Sequence, residues 1–127
     1  MALAYDDTNI FARILRGEIP CDKVAENEHA LAFRDIRPQA PVHVLVIPKG
    51  AYVSFDDFAA NASNAEILGF TRLCAQVCMS EGVDLAGGNQ GFRAVANTGH
   101  HGVQEVPHYH LHIMGGRVMG PMLSRQG

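Results

Sequence analysis

The stretch Val106-Pro107-His108-Tyr109-His110-Leu111-His112-Ile113-Met114-Gly115-Gly116 alternates imidazole with apolar side chains. That is the period of a half-buried β-strand, because successive side chains of a strand point to opposite faces. His108, His110 and His112 are predicted to stand in one row, roughly 6.6 Å apart at about 3.3 Å per residue. Tyr109, Leu111 and Ile113 are left to face the core. A lone histidine on an apolar face is ordinarily a packing residue, and His29 is read that way; three in register ask for chemistry. Zinc is one candidate, since imidazole is the commonest metal ligand. Geometry opposes it. Zinc holds nitrogen at about 2.0–2.1 Å, whereas the outer two histidines of a straight strand lie about 13 Å apart at Cα. A metal would need a further ligand from His43, His100 or His101, and no paired-cysteine pattern accompanies the row.

The 127 residues suit one domain over positions 1–127, with no stretch whose composition marks a linker. With 47% hydrophobic and 18% charged residues, the chain belongs with folded globular proteins. A net charge of −3, with its cations scattered, gives no footprint for nucleic acid or an anionic membrane. The N-terminus turns acidic at Asp6-Asp7 before any signal-like apolar run, and no window approaches about eighteen apolar residues, so a cytoplasmic location is expected. Three cysteines without framework spacing agree with this.

Upstream of the histidines, Asn97 to Glu105 forms a loop carrying Asn97, Gly99, His100, His101, Gly102 and Gln104. It reads either as an ordinary polar turn or as an anion cradle of glycine N–H groups and amide donors. Phe92 to Val95 is a strand. Gly87-Gly88-Asn89-Gln90-Gly91 lacks the lysine and following helix of a phosphate loop and is taken as a turn. Asn61-Ala62-Ser63 caps a helix over about 62–81, with Ile67, Phe70, Cys74, Val77 and Cys78 as its core stripe and Gly82 as its stop. Val42 to Ile47 is a central strand; its only polar side chain, His43, either is a buried hydrogen-bonding residue or joins the histidine row from a neighbouring strand. Two short strands near 23–26 and 30–34 make a hairpin around Glu26-Asn27-Glu28-His29. Asp7-Thr8-Asn9 caps a short helix whose Ile10, Phe11, Ile14 and Leu15 cover the core or wall a base pocket.

The motif His108-Tyr109-His110-Leu111-His112-Ile113-Met114 resembles the signature of the histidine triad superfamily, His-φ-His-φ-His-φ-φ with φ apolar. Dispersed blocks extend the likeness over nearly the whole chain: Ile10-Phe11, Arg16-Gly17-Glu18-Ile19-Pro20, Ala32-Phe33-Arg34-Asp35-Ile36, Pro38-Gln39-Ala40-Pro41, Val42 to Lys49, and Gly115-Gly116-Arg117. They are similar to the branch of histidine triad nucleotide-binding proteins called HINT. The resemblance implies an α+β fold, a five-stranded antiparallel sheet with two helices, continued edge to edge across a homodimer. It implies hydrolysis of purine nucleoside 5′-phosphoramidates through a nucleotidylated histidine, without a metal or other cofactor. His110 would be the nucleophile, with His108, His112 and His43 positioning it and stabilising the phosphate or leaving group. Asn97 and Gln104 would add polar contacts, Asp35 would bind the ribose hydroxyls, and Ile10, Phe11, Ile14 and Ile36 would line the base pocket. A dinucleoside polyphosphate hydrolase and a nucleotide-binding protein with vestigial catalysis are the alternatives.

Elementary chemistry agrees with these roles. Imidazole is nucleophilic only when neutral, and cationic neighbours would depress the central pKa towards that state. Imidazolium, amide and backbone donors would then stabilise charge on the phosphoryl oxygens. Many relatives carry a hydroxyl residue where this chain has Glu105, so a hydroxyl contact there is not implied, and a carboxylate would repel phosphate unless it points away or meets a cationic amine. Val103 and Pro107 are further departures expected to reshape the loop.

Overall fold

The strongest β-forming run of the sequence is the middle of the sheet. In the computed structural model, which describes residues 3–124, β1 (Lys23–Glu26), β2 (Ala30–Arg34), β3 (Val42–Pro48), β4 (Phe92–Val95) and β5 (Leu111–Gly115) form one antiparallel sheet ordered β1-β2-β3-β5-β4. β3 is buried from His43 to Pro48, so both of its faces are covered, as its unbroken apolar run requires. Val44 and Val46 turn to one face, where they join Ala30, Ala32, Ile113 and Tyr109 beneath α3 (Asn64–Ser80). Leu45 and Ile47 turn to the other and pack with Leu31, Phe33 and Phe11 of α1 (Ile10–Leu15).

Local chemistry sets the helix ends. Asn9 Oδ1 accepts from the Ala12 N–H to start α1. Ser63 and Glu66 form a reciprocal capping box at α3, and Gly82, at φ +71°, follows its last turn. The buried stripe of α3 is Phe70, Leu73, Val77 and Cys78, with Ile67 and Cys74 half-buried beside it. Leu73, absent from the predicted stripe, is fully buried.

Two features differ from the sequence pattern. A third helix, α2 (Phe55–Asn61), joins the two expected. Its signal is Ser54 three residues before Asp57, whose N–H the Ser54 hydroxyl accepts; seven residues are too few for a periodicity to show. The histidine stretch is also not one strand, since β5 begins only at Leu111. Val46 pairs with Leu111, and the next backbone partners on β3 run into Pro48, which has no N–H to give. The Tyr109 N–H is donated instead to the Tyr52 carbonyl at 2.8 Å. Alternation nevertheless persists through the irregular part: Tyr109 stacks among Phe58 and Phe70, while the His108 and His110 rings lie against Phe11 on the opposite side.

Candidate active site

Four histidines meet on the α1 side of the sheet. His43 on β3 pairs across from Met114, and Leu45 across from His112, so His43 and His112 are diagonal neighbours on one face. Their rings join through His43 Nε2 and His112 Nδ1 at 2.9 Å. Both readings of His43 therefore hold: it is buried and hydrogen-bonded, and it extends the row from the adjacent strand. His110 and His112 ring centroids lie 5.1 Å apart, and Phe11 meets the His110 ring edge-on at 4.9 Å.

The hydrogen-bond partners fix which nitrogen of each ring carries the proton. Carbonyl oxygens only accept and backbone N–H groups only donate. His110 Nδ1 lies 2.8 Å from the His108 carbonyl, so Nδ1 bears the hydrogen and Nε2 of the neutral ring keeps its lone pair. His108 Nε2 donates to the Pro48 carbonyl at 2.8 Å, which leaves its Nδ1 as an acceptor. The Gln39 N–H donates to His43 Nδ1 at 3.0 Å, so neutral His43 donates from Nε2 to His112 Nδ1. The remaining proton of neutral His112 is then on Nε2. A bare lone pair on His110 thus stands beside an N–H donor on His112. Among the described residues no sealed side-chain nitrogen or oxygen lacks a partner, so His110 Nε2, which bonds to none of them, remains open to solvent.

All four rings are held towards the neutral form. Burial is the largest cause in each case. It draws His108 to about 4, against the Pro48 carbonyl, with the nearness of His110 adding to the fall. His112 is drawn to about 4 by burial, then by the nearness of His110 and His43. His110 and His43 fall below their ordinary value despite opposing carboxylates, Asp35 for both and Glu105 for His110. The expectation of cationic neighbours around a neutral centre is thereby corrected. The row is uniformly neutral because desolvation penalises every imidazolium in it, and its donors are tautomeric N–H groups.

The other candidate residues divide. Phe11 is where the chemistry is. Asp35 is half-buried, with Oδ1 accepting from the Arg37 N–H at 2.8 Å and Oδ2 3.4 Å from His43 Nε2. Asn97 follows β4 by two residues, near the Val95 position that pairs with His112, and its side chain makes no hydrogen bond among the described residues. Gln104 is committed to the loop itself: Nε2 donates to the carbonyls of Val53 and Val106, and Oε1 accepts from the Gly99 N–H. Its amide holds backbone together; it is not left over as a donor. Ile10 is 42% exposed and Ile36 88%, so both present apolar surface to solvent. Ile14 lines a cavity of about 430 Å³ with Leu15, Cys21, Lys23, Glu26, Leu31 and Lys49, none of them a histidine.

The departures in the loop are visible. Val103 adopts φ +56°, a left-handed conformation that a β-branched side chain adopts at a cost. Glu105 is exposed and forms no ion pair or hydrogen bond among the described residues. His100 and His101 are exposed and stand apart from the cluster. A cation site has one geometric candidate among the described residues, Asp35, His43 and His112, whose ligand atoms lie within 4.8 Å of one another. It fits poorly, because a metal at His43 Nε2 would displace the proton placed there by the Gln39 N–H on Nδ1. The residue that sequence reasoning missed is Tyr5, whose hydroxyl lies 2.5 Å from His108 Nδ1; a separation of 103 positions leaves no local pattern to find it.

Comparison with known proteins agrees with this arrangement. A family model described as HIT domain matches residues 16–119. An uncharacterized 13.2 kDa HIT-like protein of Azospirillum brasilense is 55% identical over 98% of this chain and 99% of its own. A purine nucleoside phosphoramidase of Escherichia coli strain K12 is 41% identical over 95% of this chain and 98% of its own. A histidine triad protein from Clostridium difficile superposes with a TM-score of 0.78 at 35% identity, covering 93% of this chain and 98% of the other.

Proposed function

Because the chain belongs to the HIT domain family, we propose that it hydrolyses the P–N bond of purine nucleoside 5′-phosphoramidates through a nucleotidyl-His110 intermediate. The observation that carries this reading is the His110 ring itself: neutral, with Nδ1–H tied to the His108 carbonyl and the Nε2 lone pair directed outward. Its Nε2 attacks the α-phosphorus, a P–Nε2 bond forms, and the P–N bond of the substrate breaks. The leaving nitrogen takes a proton from solvent and departs as the amine. Water then attacks the same phosphorus, the P–Nε2 bond breaks, and a nucleoside monophosphate leaves. The His112 Nε2–H and the half-buried Asn97 amide are donors for the nonbridging oxygens, where charge builds in both steps. Asp35 accepts from ribose hydroxyls, and the Phe11 face of α1 meets the base.

Replacement of His110 by Ala tests this. Turnover of an adenosine phosphoramidate falls by at least about a thousandfold while adenosine monophosphate still binds, and rapid quenching followed by intact-mass measurement finds a nucleotidyl adduct on the natural chain alone. A variant with natural turnover sinks the mechanism. Parallel assay of a diadenosine polyphosphate separates the phosphoramidase reading from that of a dinucleoside polyphosphate hydrolase, and binding without turnover of either would leave a nucleotide-binding protein.

The same reading makes the protein a homodimer in the cytoplasm. β1 and β4 are the sheet edges, and β4, with Phe92 exposed, leaves backbone groups unpaired as an edge strand must. Sedimentation at micromolar concentration is expected to give twice the 13.7 kDa chain mass. No helix among the described residues is long and apolar enough to cross a membrane.

A further inference from the structure

We propose that Tyr5 is a positioning residue for the nucleophile: its hydroxyl locks the His108 ring, and the His108 backbone carbonyl in turn locks His110. The distances form a chain. Tyr5 Oη lies 2.5 Å from His108 Nδ1, His108 Nε2 lies 2.8 Å from the Pro48 carbonyl, and His110 Nδ1 lies 2.8 Å from the His108 carbonyl. Because the Pro48 carbonyl can only accept, neutral His108 carries its proton on Nε2, and Tyr5 must be the donor to Nδ1. The two rings also meet edge-on, with centroids 5.6 Å apart at 71°.

His108 is 0% exposed, so it has no alternative partner in solvent, and Tyr5 supplies the one bond its Nδ1 makes. The neighbourhood of Tyr5 is itself held. Asp6 accepts from Thr8 and Asn9, the Arg16 guanidinium donates to the Asp7 carbonyl at 2.8 Å, and both tie the segment to α1. α1 places Phe11 against His108 at 6.3 Å and His110 at 4.9 Å. The segment before α1 and the irregular run before β5 are therefore one unit, joined at a ring with two anchors. A phenylalanine at position 5 would keep the ring contact and remove one anchor. The buried Nδ1 of His108 would then lack its donor, and the backbone carbonyl that orients His110 would lose its restraint.

The proposal rests on the nucleophile assigned above, so its test has an arm independent of turnover. In Tyr5→Phe, nitrogen NMR of the imidazoles should move the His108 Nδ1 resonance to that of a pyridine-type nitrogen without a donor. In the same variant kcat for an adenosine phosphoramidate should fall roughly tenfold with KM changed less than about twofold, the loss expected when a buried acceptor goes unpaired. Retained binding of adenosine monophosphate shows that the variant is folded. A natural Nδ1 resonance overturns the proposal, because the bond is then absent in solution. A moved resonance with natural kcat overturns it too, because the bond then positions nothing. If the unsubstituted protein fails to turn over the phosphoramidate, the proposed function fails, and the resonance alone decides the Tyr5 to His108 bond.

Discussion

Acid should destabilise this protein through His108 well before its carboxylates protonate. The ring is fully buried, and its pKa lies at about 4 against 6.5 for the free side chain. A base whose folded pKa is depressed binds fewer protons in the native state than in the unfolded chain between the two values, so stability is complete above 6.5 and is lost as pH falls towards 4. At about 1.4 kcal/mol per pH unit, lowering the pH from 7 to 4.5 removes about 2.5 kcal/mol through this one group. That is a large share of the 5–15 kcal/mol that separates a typical fold from its unfolded chain. The perturbation is His108→Gln, which cannot titrate, and the assay is urea unfolding of both proteins at pH 7 and 4.5. Protein concentration is held fixed, since the apparent stability of the proposed dimer would move with it. The natural chain should lose about 2 kcal/mol more than the variant between the two pH values. His112 and the carboxylates remain in both, so they cancel in the difference. Equal losses, or an NMR titration of His108 centred near 6.5, would refute the reasoning.

The pH dependence of kcat/KM should be flat above neutrality and fall only below the ordinary histidine range, because burial holds His110 neutral; a midpoint at or above 6.5 contradicts this. Glu105 and Asp35 both favour the proton on His110, so Glu105→Gln should move that acid limb to still lower pH at low salt, with the shift fading as salt screens it; an upward move shows that Glu105 does not act on the ring. Exhaustive chelation should leave turnover unchanged, since the Asp35, His43 and His112 group keeps its proton on His43 Nε2; loss restored by stoichiometric zinc would reverse that reading. Val103→Gly should raise stability by up to about 1 kcal/mol, the left-handed penalty removed being partly offset by the added freedom of the unfolded chain, and thermal unfolding that shows a loss would mean φ +56° costs nothing here.

Where sequence and structure agree, a period or a cap carried the information. β1, β2 and β4 span the short extended runs that flanking turn residues mark out, and β3 differs by the single residue Pro48. Gly82 ends α3 in the left-handed conformation for which glycine is suited. The row of histidines on one side of the stretch follows from alternation too, and it survives where the hydrogen-bonded strand does not, because side-chain direction depends on local dihedrals and ladder pairing on a neighbour. That neighbour is Pro48, 63 positions before Leu111, and nothing within residues 106–116 announces it. Protonation lies further from the sequence still. Three adjacent histidines suggest mutual repulsion, which makes some rings cationic and one neutral. In the fold, burial acts on all of them before they act on one another, and the rings divide the remaining work by tautomer. His110 offers a lone pair because the His108 carbonyl takes its other proton; His112 offers a proton because His43 fills its other nitrogen, and His43 does so because the Gln39 N–H fills Nδ1. Acceptor and donor therefore stand side by side without any ring having to be charged at neutral pH; what the arrangement needs is the backbone at Gln39, Pro48 and His108 held still.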